Sequence, residues 1–412
     1  MLIQFNFRNY KSFKEEVSLD LSATKISEFP EHIVNIGNEK ILRTAVIYGA
    51  NASGKSNIVS AFKFMTYYVL ESFAFGDNIE SEIPFLFDKE SRKGSSVFEV
   101  FFVDNNEESP KTYQYGFELQ ESKVIKEWMY SKARTARTYR TVFERGGNET
   151  FFTSGALKKY EENIKMSLGK ETLVISLGAK LRIKLFKKVR DWFYNNAIID
   201  YGDVFETLIR SSTLPQGFQD NPEVQKNVVR YFGSFDGAIK GFEIKEIKKE
   251  KGEKVYTVDS YHKMINDNEL VAIPLREEAS GTLKMLSLYP ALESVLKKGS
   301  ILFIDELNAR LHPLLVRNLV LTFLNKEINT NNAQLIFTTH DMWLLSCELF
   351  RRDEIWFTEK DKDGVSQLYS LVDFRDEDGD KIRKDENYGK NYVLGKYGAI
   401  PKLKGFDVFK EV

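Results

Sequence analysis

The stretch Gly49–Asn57 has the residue types and spacing needed to hold a polyphosphate. It follows an apolar run, Thr44–Tyr48, that is typical of a buried strand, and it precedes an apolar, helix-compatible run at 58–65. A strand, a Gly-x4-Gly-Lys-Ser sequence and a helix in this order are the features of a phosphate-binding P-loop, in which backbone N–H groups and the helix N-terminus face the phosphates. We expect Lys55 to contact the β- and γ-phosphates and the Ser56 hydroxyl to bind Mg²⁺. The residues predicted to bind the nucleotide here are Gly49, Asn51, Ala52, Ser53, Gly54, Lys55, Ser56 and Asn57.

Two acidic residues follow a second apolar run later in the chain. Ile301–Ile304 is typical of a buried strand, and Asp305 and Glu306 come directly after it. Because open α/β sheets bind ligands at the carboxyl ends of their strands, these acids and the P-loop should share one sheet edge. We expect Asp305 to hold Mg²⁺ through water, and Glu306 to orient and deprotonate an attacking water molecule.

Two further segments are candidates for the same site. Thr338–His340 ends the next apolar run, where His340 could donate a hydrogen bond to the γ-phosphate, although a lone histidine at a strand end is more often structural. Ser280 and Gly281 open a helix predicted over 280–298, and free N–H groups at a helix start would bind phosphate; the plain alternative is a capped helix. We favour a functional role for both segments because two independent motifs already predict a site at this sheet edge.

The order of these motifs resembles that of ABC-type ATPase heads: a P-loop, a long insertion, a Ser-Gly signature helix, an Asp-Glu strand and a Thr-His strand. Together with Phe7–Phe13, the P-loop variant resembles the SMC and OLD-like branch. Leu307–Pro313 resembles the Leu-His-Pro segment of OLD-family and RloA-type ATPases. Tyr388–Pro401 looks like the tail of RloA- or AbiL-type bacterial proteins.

This resemblance implies an α/β fold: a P-loop ABC-type ATPase head with mixed β-sheets and an inserted, mainly helical subdomain. It implies ATP and Mg²⁺ as cofactors, and an ATPase that forms a homodimer or higher homo-oligomer around ATP. It also implies a part in bacterial anti-phage defence, regulating a separately encoded effector for which a nuclease is one candidate; too few residues follow His340 for a Toprim nuclease domain. In such dimers Ser280 and Gly281 act in trans on the γ-phosphate, while the groups acting in cis are Lys55, Ser56, Asp305, Glu306 and His340.

Two departures from the family pattern bear on hydrolysis, which could be slow. No glutamine stands at an obvious position for the Mg²⁺-contacting Q-loop; Gln114 and Gln120 are the nearest candidates, in or at the end of a predicted strand. Asn308 and Arg310 replace the acidic or small residues often seen before Leu-His-Pro. An alternative function is an SMC-like DNA-repair or DNA-binding ATPase clamp, but the helical stretch 150–196 is too short and irregular for its coiled coil. A nucleotide-gated scaffold that barely hydrolyses ATP is a third hypothesis.

The composition is that of an ordinary globular chain of 412 residues, with 42% hydrophobic and 29% charged residues. A formal net charge of −1 gives no overall attraction to nucleic acid or anionic membranes, so DNA binding would need a local patch. Cys347 is the only cysteine, which excludes an intramolecular disulfide and fits a reducing compartment. No run of about 18 apolar residues exists, so we expect a cytoplasmic protein with no membrane partner.

The motifs divide the chain into three predicted parts. Residues 1–149 would form the N-terminal part of the head, 150–240 a helical insertion, and 241–412 the C-terminal part of the head. Two basic clusters could contact nucleic acid or a partner, but we favour solvated surfaces whose lysine stems cover apolar residues. The first consists of Lys180, Arg182, Lys184, Lys187, Lys188 and Arg190, and the second of Lys132, Arg134, Arg137 and Arg140.

Overall fold

The computed structural model of the chain contains two large β-sheets with a helix between them. It describes residues 1–74, 81–104, 110–146, 149–152, 155–203, 206, 214–235, 237–248, 254–265, 267–376 and 379–401.

The larger sheet is antiparallel and seven-stranded. Buried and half-buried residues alternate along its strand at 96–103, as expected when one face of a sheet meets the core and the other is more accessible. In spatial order its strands are β10 (Glu149–Phe152), β9 (Arg140–Gly146), β8 (Lys123–Ala133), β7 (Lys111–Gln120), β6 (Ser96–Val103), β1 (Leu2–Arg8) and β2 (Val17–Asp20).

The second sheet has six strands, of which the first five in spatial order are parallel. Its central strands are buried at every residue, because helices or the other sheet cover both faces; this is why they read as continuous apolar runs in the sequence. In spatial order the strands are β11 (Ala197–Asp200), β15 (Ile301–Asp305), β16 (Gln334–Thr338), β5 (Thr44–Gly49), β17 (Ile355–Lys360) and the antiparallel β18 (Ser366–Ser370).

Helix α1 (Lys55–Glu71) lies between the two large sheets. Its Phe62 ring is 5.2 Å from Phe5 of β1 and 5.6 Å from Phe303 of β15, so one side chain joins both sheets. The other helices in the described ranges are α2 (Gly155–Ser167), α3 (Val174–Lys180), α4 (Lys184–Tyr194), α5 (Pro222–Gly233), α6 (Ser280–Lys298), α7 (Pro313–Leu324) and α8 (Tyr388–Val393). Short 3₁₀ turns occur at Pro30–His32, Ser72–Ala74, Ser91–Lys93, Leu275–Glu277, Met342–Leu344 and Arg352–Glu354.

Two smaller sheets complete the fold. One consists of β12 (Ile239–Lys248), β13 (Lys254–Lys263) and β14 (Leu270–Pro274), and the other of β3 (Ile33–Ile36) and β4 (Glu39–Leu42). The sequence predicts hairpin turns at 104–106 and 245–254. Residues 105–109 and 249–253 lie outside the described residues, and residues 245–248 form the end of β12.

The predicted mixed α/β class is confirmed by the coexistence of a parallel and an antiparallel sheet. The helical stretch predicted to begin at Thr150 begins instead at Gly155, because residues 149–152 pair with β9 as a strand. The division of the chain at 150 and 240 stays a prediction. None of the helices in the described ranges is both long enough and apolar enough to cross a membrane.

Candidate active site

The P-loop connects the end of β5 to the start of α1 through two residues of positive φ. Ala52 has φ 63° and Gly54 has φ 120°, and only glycine adopts the second of these readily. Gly49 allows a close approach to β17, because a Cβ at this position would lie 2.4 Å from Thr358 Oγ1. The loop therefore keeps its shape through backbone geometry that other residue types would disturb.

Among the predicted nucleotide-binding side chains, some face outward and others hold the loop in place. Asn51, Ala52 and Ser56 are exposed. The Ser53 hydroxyl instead lies 2.6 Å from Thr358 Oγ1, and the Asn57 amide donates to Ser12 Oγ at 2.7 Å.

The ammonium group of Lys55 is buried against the loop. It donates to the carbonyl oxygens of Gly49 and Ala50, at 2.8 and 3.2 Å. Burial lowers the pKa of Lys55, and the negative charges of Glu306 and Asp305 act in the opposite direction.

Asp305 and Glu306 lie at the end of β15, on the strand next to β16. Thr338, at the end of β16, contacts both: its hydroxyl donates to Asp305 Oδ1 at 2.5 Å and accepts from the backbone N–H of Glu306 at 2.9 Å. Burial raises the pKa of Asp305, while the nearby Ser56 and Thr338 hydroxyls lower it. Thr338, the first residue of the Thr338–His340 segment, thus fixes the acidic pair, a role that its spacing alone did not suggest.

The Glu306 carboxylate lies between the P-loop lysine and the predicted histidine. Its Oε1 is 3.9 Å from Lys55 Nζ and its Oε2 is 3.0 Å from His340 Nδ1. Asn308 Nδ2 lies 3.2 Å from His340 Nε2, and Asn308 Oδ1 accepts from the Thr339 hydroxyl at 2.7 Å. Asn308, which departs from the family pattern, therefore contacts the histidine in this fold.

The start of α6 lies beside the loop that follows Glu306. Ser280 is exposed, and a Cβ on Gly281 would be 3.1 Å from the carbonyl oxygen of Arg310. The exposed Ser280 is open to a second molecule. The structure brings the five residues predicted to act in cis to one sheet edge and places Ser280 and Gly281 at the helix start predicted for them.

Two further residues at this edge are not among those predicted from the sequence. Asp200 ends β11 and is the register partner of Asp305 on the adjacent parallel strand. Its Oδ1 accepts from the backbone N–H groups of Gly202 and Asp203, at 2.9 and 3.1 Å. A four-residue strand after a helix gives little periodic signal, and pairing with β15 is what reveals its position.

Lys284 is the second missed residue. It is buried on α6 and donates to the carbonyl oxygens of Leu307 and Ala309, at 2.8 and 2.7 Å, with Glu306 O at 3.4 Å. Its ammonium lies 3.8 Å from the ring centroid of Tyr201, a cation–π contact. Burial lowers the pKa of Lys284 to about 7, with Glu306 acting in the opposite direction. The candidate glutamines lie elsewhere, in β7, where Gln114 contacts Glu99 and Gln120 contacts Lys93.

The oxygen donors at the end of β15 fit Mg²⁺. Asp305 is 1% exposed, and its Oδ2 accepts no hydrogen bond from the residues that the structure describes. A buried carboxylate oxygen without a partner costs free energy unless a ligand satisfies it. The Ser56 hydroxyl and carboxylates are the hard oxygen donors that Mg²⁺ prefers, so Ser56 and Asp305 are suited to hold it.

A P-loop on a parallel sheet, with an acidic pair at the end of the strand two positions away, defines the class of P-loop nucleoside triphosphatases. Residues 45–346 match the family described as "AAA domain, putative AbiEii toxin, Type IV TA system", and the chain belongs to this family. Its AAA domain implies nucleoside triphosphatase activity.

Among solved structures, the chain is similar to one titled "Crystal structure of the SmcHead bound to the C-winged helix domain of ScpA". The two are 12% identical with a TM-score of 0.41, over 90% of this chain and 97% of that chain. A comparison with curated proteins found no match.

Proposed function

We propose that the protein binds and hydrolyses ATP with Mg²⁺ and that two copies close around the nucleotide in the ABC-type manner. The observation that carries this proposal is the convergence of Lys55, Asp305, Glu306 and His340 at one sheet edge. The proposal extends to a regulatory role toward a separately encoded effector in bacterial defence. That extension is supported by the toxin–antitoxin wording of the family description and by the resemblance to RloA- and AbiL-type proteins.

Each residue has a chemical role in this proposal. Lys55 exchanges its carbonyl contacts for phosphate oxygens, and Glu306 accepts a proton from the attacking water while its other oxygen stays beside His340. Ser56 and Asp305 would hold Mg²⁺, and Asp200, the register partner of Asp305, would supply a second carboxylate beside it. When bound, Mg²⁺ neutralises charge on the phosphates.

The exposure of the site supports a role for a second copy. His340 is 61% exposed and the Glu306 side chain 22% exposed, so one protomer alone leaves the reacting groups open to bulk water. Catalytic electrostatics are stronger when water is excluded. We propose that Ser280 and Gly281 of the second copy cover this edge and contact the γ-phosphate.

The test is native mass by light scattering, with and without ATP, on the wild type and on Glu306→Gln. Removing the base should trap ATP, so the variant should gain whole protomers only when ATP is present. Glu327→Gln is the matched control, because Glu327 is exposed in the loop before β16, away from the P-loop edge. It should behave like the wild type.

A mass that ignores nucleotide in both proteins would contradict ATP-driven assembly. In that case the ATPase activity of Ser280→Arg decides between a constitutive assembly and no sandwich at all. Normal hydrolysis by this variant would overturn the ABC-type proposal, since a bulky cation at the start of α6 should block contact with the γ-phosphate of the other copy.

A further inference from the structure

A lysine-lined cavity lies at the opposite end of the parallel sheet from the P-loop. It has a volume of about 400 Å³, in the range of small-molecule sites, and Ile301, the first residue of β15, forms part of its wall. Asp305 ends the same strand, so about 13 Å of strand separates the two ends. We call the cavity the lysine cleft, after the four residues Lys184, Lys187, Lys188 and Lys298 that line it.

Two of these lysines are free to bind an anion. Lys187 pairs with Asp191, and Lys188 lies 3.1 Å from Asp104 Oδ2. Lys184 and Lys298 are exposed, and neither forms an ion pair or hydrogen bond with any residue in the described ranges. Within the lysine cleft, cationic groups therefore exceed the carboxylates that neutralise them.

An aromatic ring forms another part of the wall. Trp192 lines the lysine cleft, is half-buried, and is held by stacking on Phe102 at a ring-centroid distance of 4.2 Å. A fixed indole beside lysines offers a surface for a base and charges for its phosphate, the combination found in proteins that bind single-stranded nucleic acid.

The second basic cluster lies at the same end of the antiparallel sheet. Side chains alternate between the two faces of this sheet, so Lys132, which pairs with Glu39, lies on the face away from the Tyr113 ring that Lys188 contacts. Lys111 and Arg140 lie on the same face as that ring. Three strand spacings separate β6 from β9, or about 14 Å. We call the two exposed residues on that face, Lys111 and Arg140, the basic rim.

The charge balance of this end favours a polymer over a single small anion. The lysine cleft and the basic rim hold six cationic side chains, and the carboxylates of Asp104 and Asp191 pair with two of them. The sequence adds Glu107 and Glu108 between β6 and β7, which leaves the sum positive. The whole chain has a net charge of −1, so nucleic-acid binding would require a local positive surface. The lysine cleft and the basic rim provide such a surface.

We propose that the lysine cleft and the basic rim form a binding site for single-stranded nucleic acid, with phosphates at Lys184 and Lys298 and a base against Trp192. The site is separate from the nucleotide site, and its occupation requires no ATP. Failure of this proposal would leave the ATPase proposal untouched.

The test is fluorescence anisotropy of a labelled 20-nucleotide oligothymidylate, measured without ATP over a series of salt concentrations. Each lysine that neutralises a phosphate adds about 0.7 to the slope of log affinity against log salt. Lys184→Gln/Lys298→Gln should therefore lower the slope by about 1.4 relative to the wild type. The control Lys226→Gln/Lys263→Gln removes two exposed lysines from α5 and β13 with the same change in net charge, and it should keep the wild-type slope.

The base contact has its own readout. Trp192→Leu should weaken binding of the single strand about tenfold, as loss of one stacked base does, and Trp192→Phe should restore most of it. A duplex of the same length should bind more weakly than the single strand. An unchanged slope in Lys184→Gln/Lys298→Gln, an equal loss in the control, or tighter binding of the duplex would overturn the proposal.

Discussion

Glu306, the proposed base, has a left-handed backbone, and this predicts an unusual order of stability among its variants. Its φ is 52°, a region that costs an L-residue about 1 to 2 kcal/mol. The conformation is imposed by two backbone contacts: Glu306 N–H donates to Thr338 Oγ1 at 2.9 Å, and its carbonyl accepts from Ala309 N–H at 3.0 Å. In this conformation the carboxylate lies 3.9 Å from Lys55 Nζ and 3.0 Å from His340 Nδ1.

Comparing Glu306→Gly with Glu306→Ala isolates this strain, since both variants lack the carboxylate. Glycine relieves the left-handed penalty but loses about 0.4 to 1 kcal/mol more conformational entropy on folding than alanine. The net result should favour Glu306→Gly over Glu306→Ala by about 1 kcal/mol of unfolding free energy. The assay is urea unfolding without nucleotide, followed by circular dichroism.

Arg317 provides the matched control, because it is exposed in the middle of α7 with ordinary helical geometry. There the order should reverse, with Arg317→Ala more stable than Arg317→Gly by about 1 kcal/mol. If Glu306→Ala is as stable as Glu306→Gly while the Arg317 pair behaves as expected, then the backbone at Glu306 is unstrained and the reasoning fails.

The geometry around Lys284, Asp200 and Gly49 leads to three more expected outcomes, on pH dependence, Mg²⁺ binding and packing. The pKa of Lys284 is about 7 in the folded chain against an ordinary 10.5, so the unfolded chain binds more protons between these values and stability rises with pH. Relative to Lys284→Met, the wild type should gain about 2 kcal/mol of unfolding free energy from pH 7 to pH 9; parallel pH profiles would disprove the shifted titration. Asp200→Asn should raise the Mg²⁺ concentration needed for half-maximal binding of a fluorescent ATP analogue about tenfold, without changing its binding in the absence of Mg²⁺; an unchanged Mg²⁺ requirement would remove Asp200 from the site. Gly49→Ala should destabilise the fold by about 1 to 3 kcal/mol, measured as a lower urea midpoint, because its Cβ would lie 2.6 Å from the carbonyl oxygen of Thr358; a midpoint equal to that of the wild type would show that β17 can move away.

The sequence predicts the parts of the site that lie on long, uniformly apolar strands. β5, β15 and β16 are buried at every residue, so each appears as an apolar run whose end marks the functional side chains. β11 is different: it has four residues, is mostly half-buried and directly follows α4. Its place at the sheet edge depends on pairing with β15, which no local pattern encodes, and Asp200 was missed with it.

The Q-loop glutamine expected from the family resemblance is a second feature whose place in the fold could not be predicted from the sequence. Gln114 and Gln120 were the nearest glutamines in sequence, yet both lie in the antiparallel sheet and contact residues of that sheet region. The edge strand next to β15 is β11, and it ends at Asp200. Distance along the chain predicts position poorly once a sheet is assembled from distant segments.

Lys284 joins α6 to the loop after β15, so this helix and this strand act as one structural unit. A lysine on a helix is normally solvated, and burying its charge is costly unless hydrogen bonds satisfy it. Here the carbonyl oxygens of the loop after β15 provide those bonds, and the same bonds tie α6 to the segment carrying Glu306. Ser280 lies one helical turn before Lys284. A second copy that contacts the start of α6 would therefore contact a helix that is hydrogen-bonded to the segment carrying Glu306, the proposed base. Assembly and hydrolysis would then be coupled through contacts within one chain, without any side chain having to reach from the partner to Glu306.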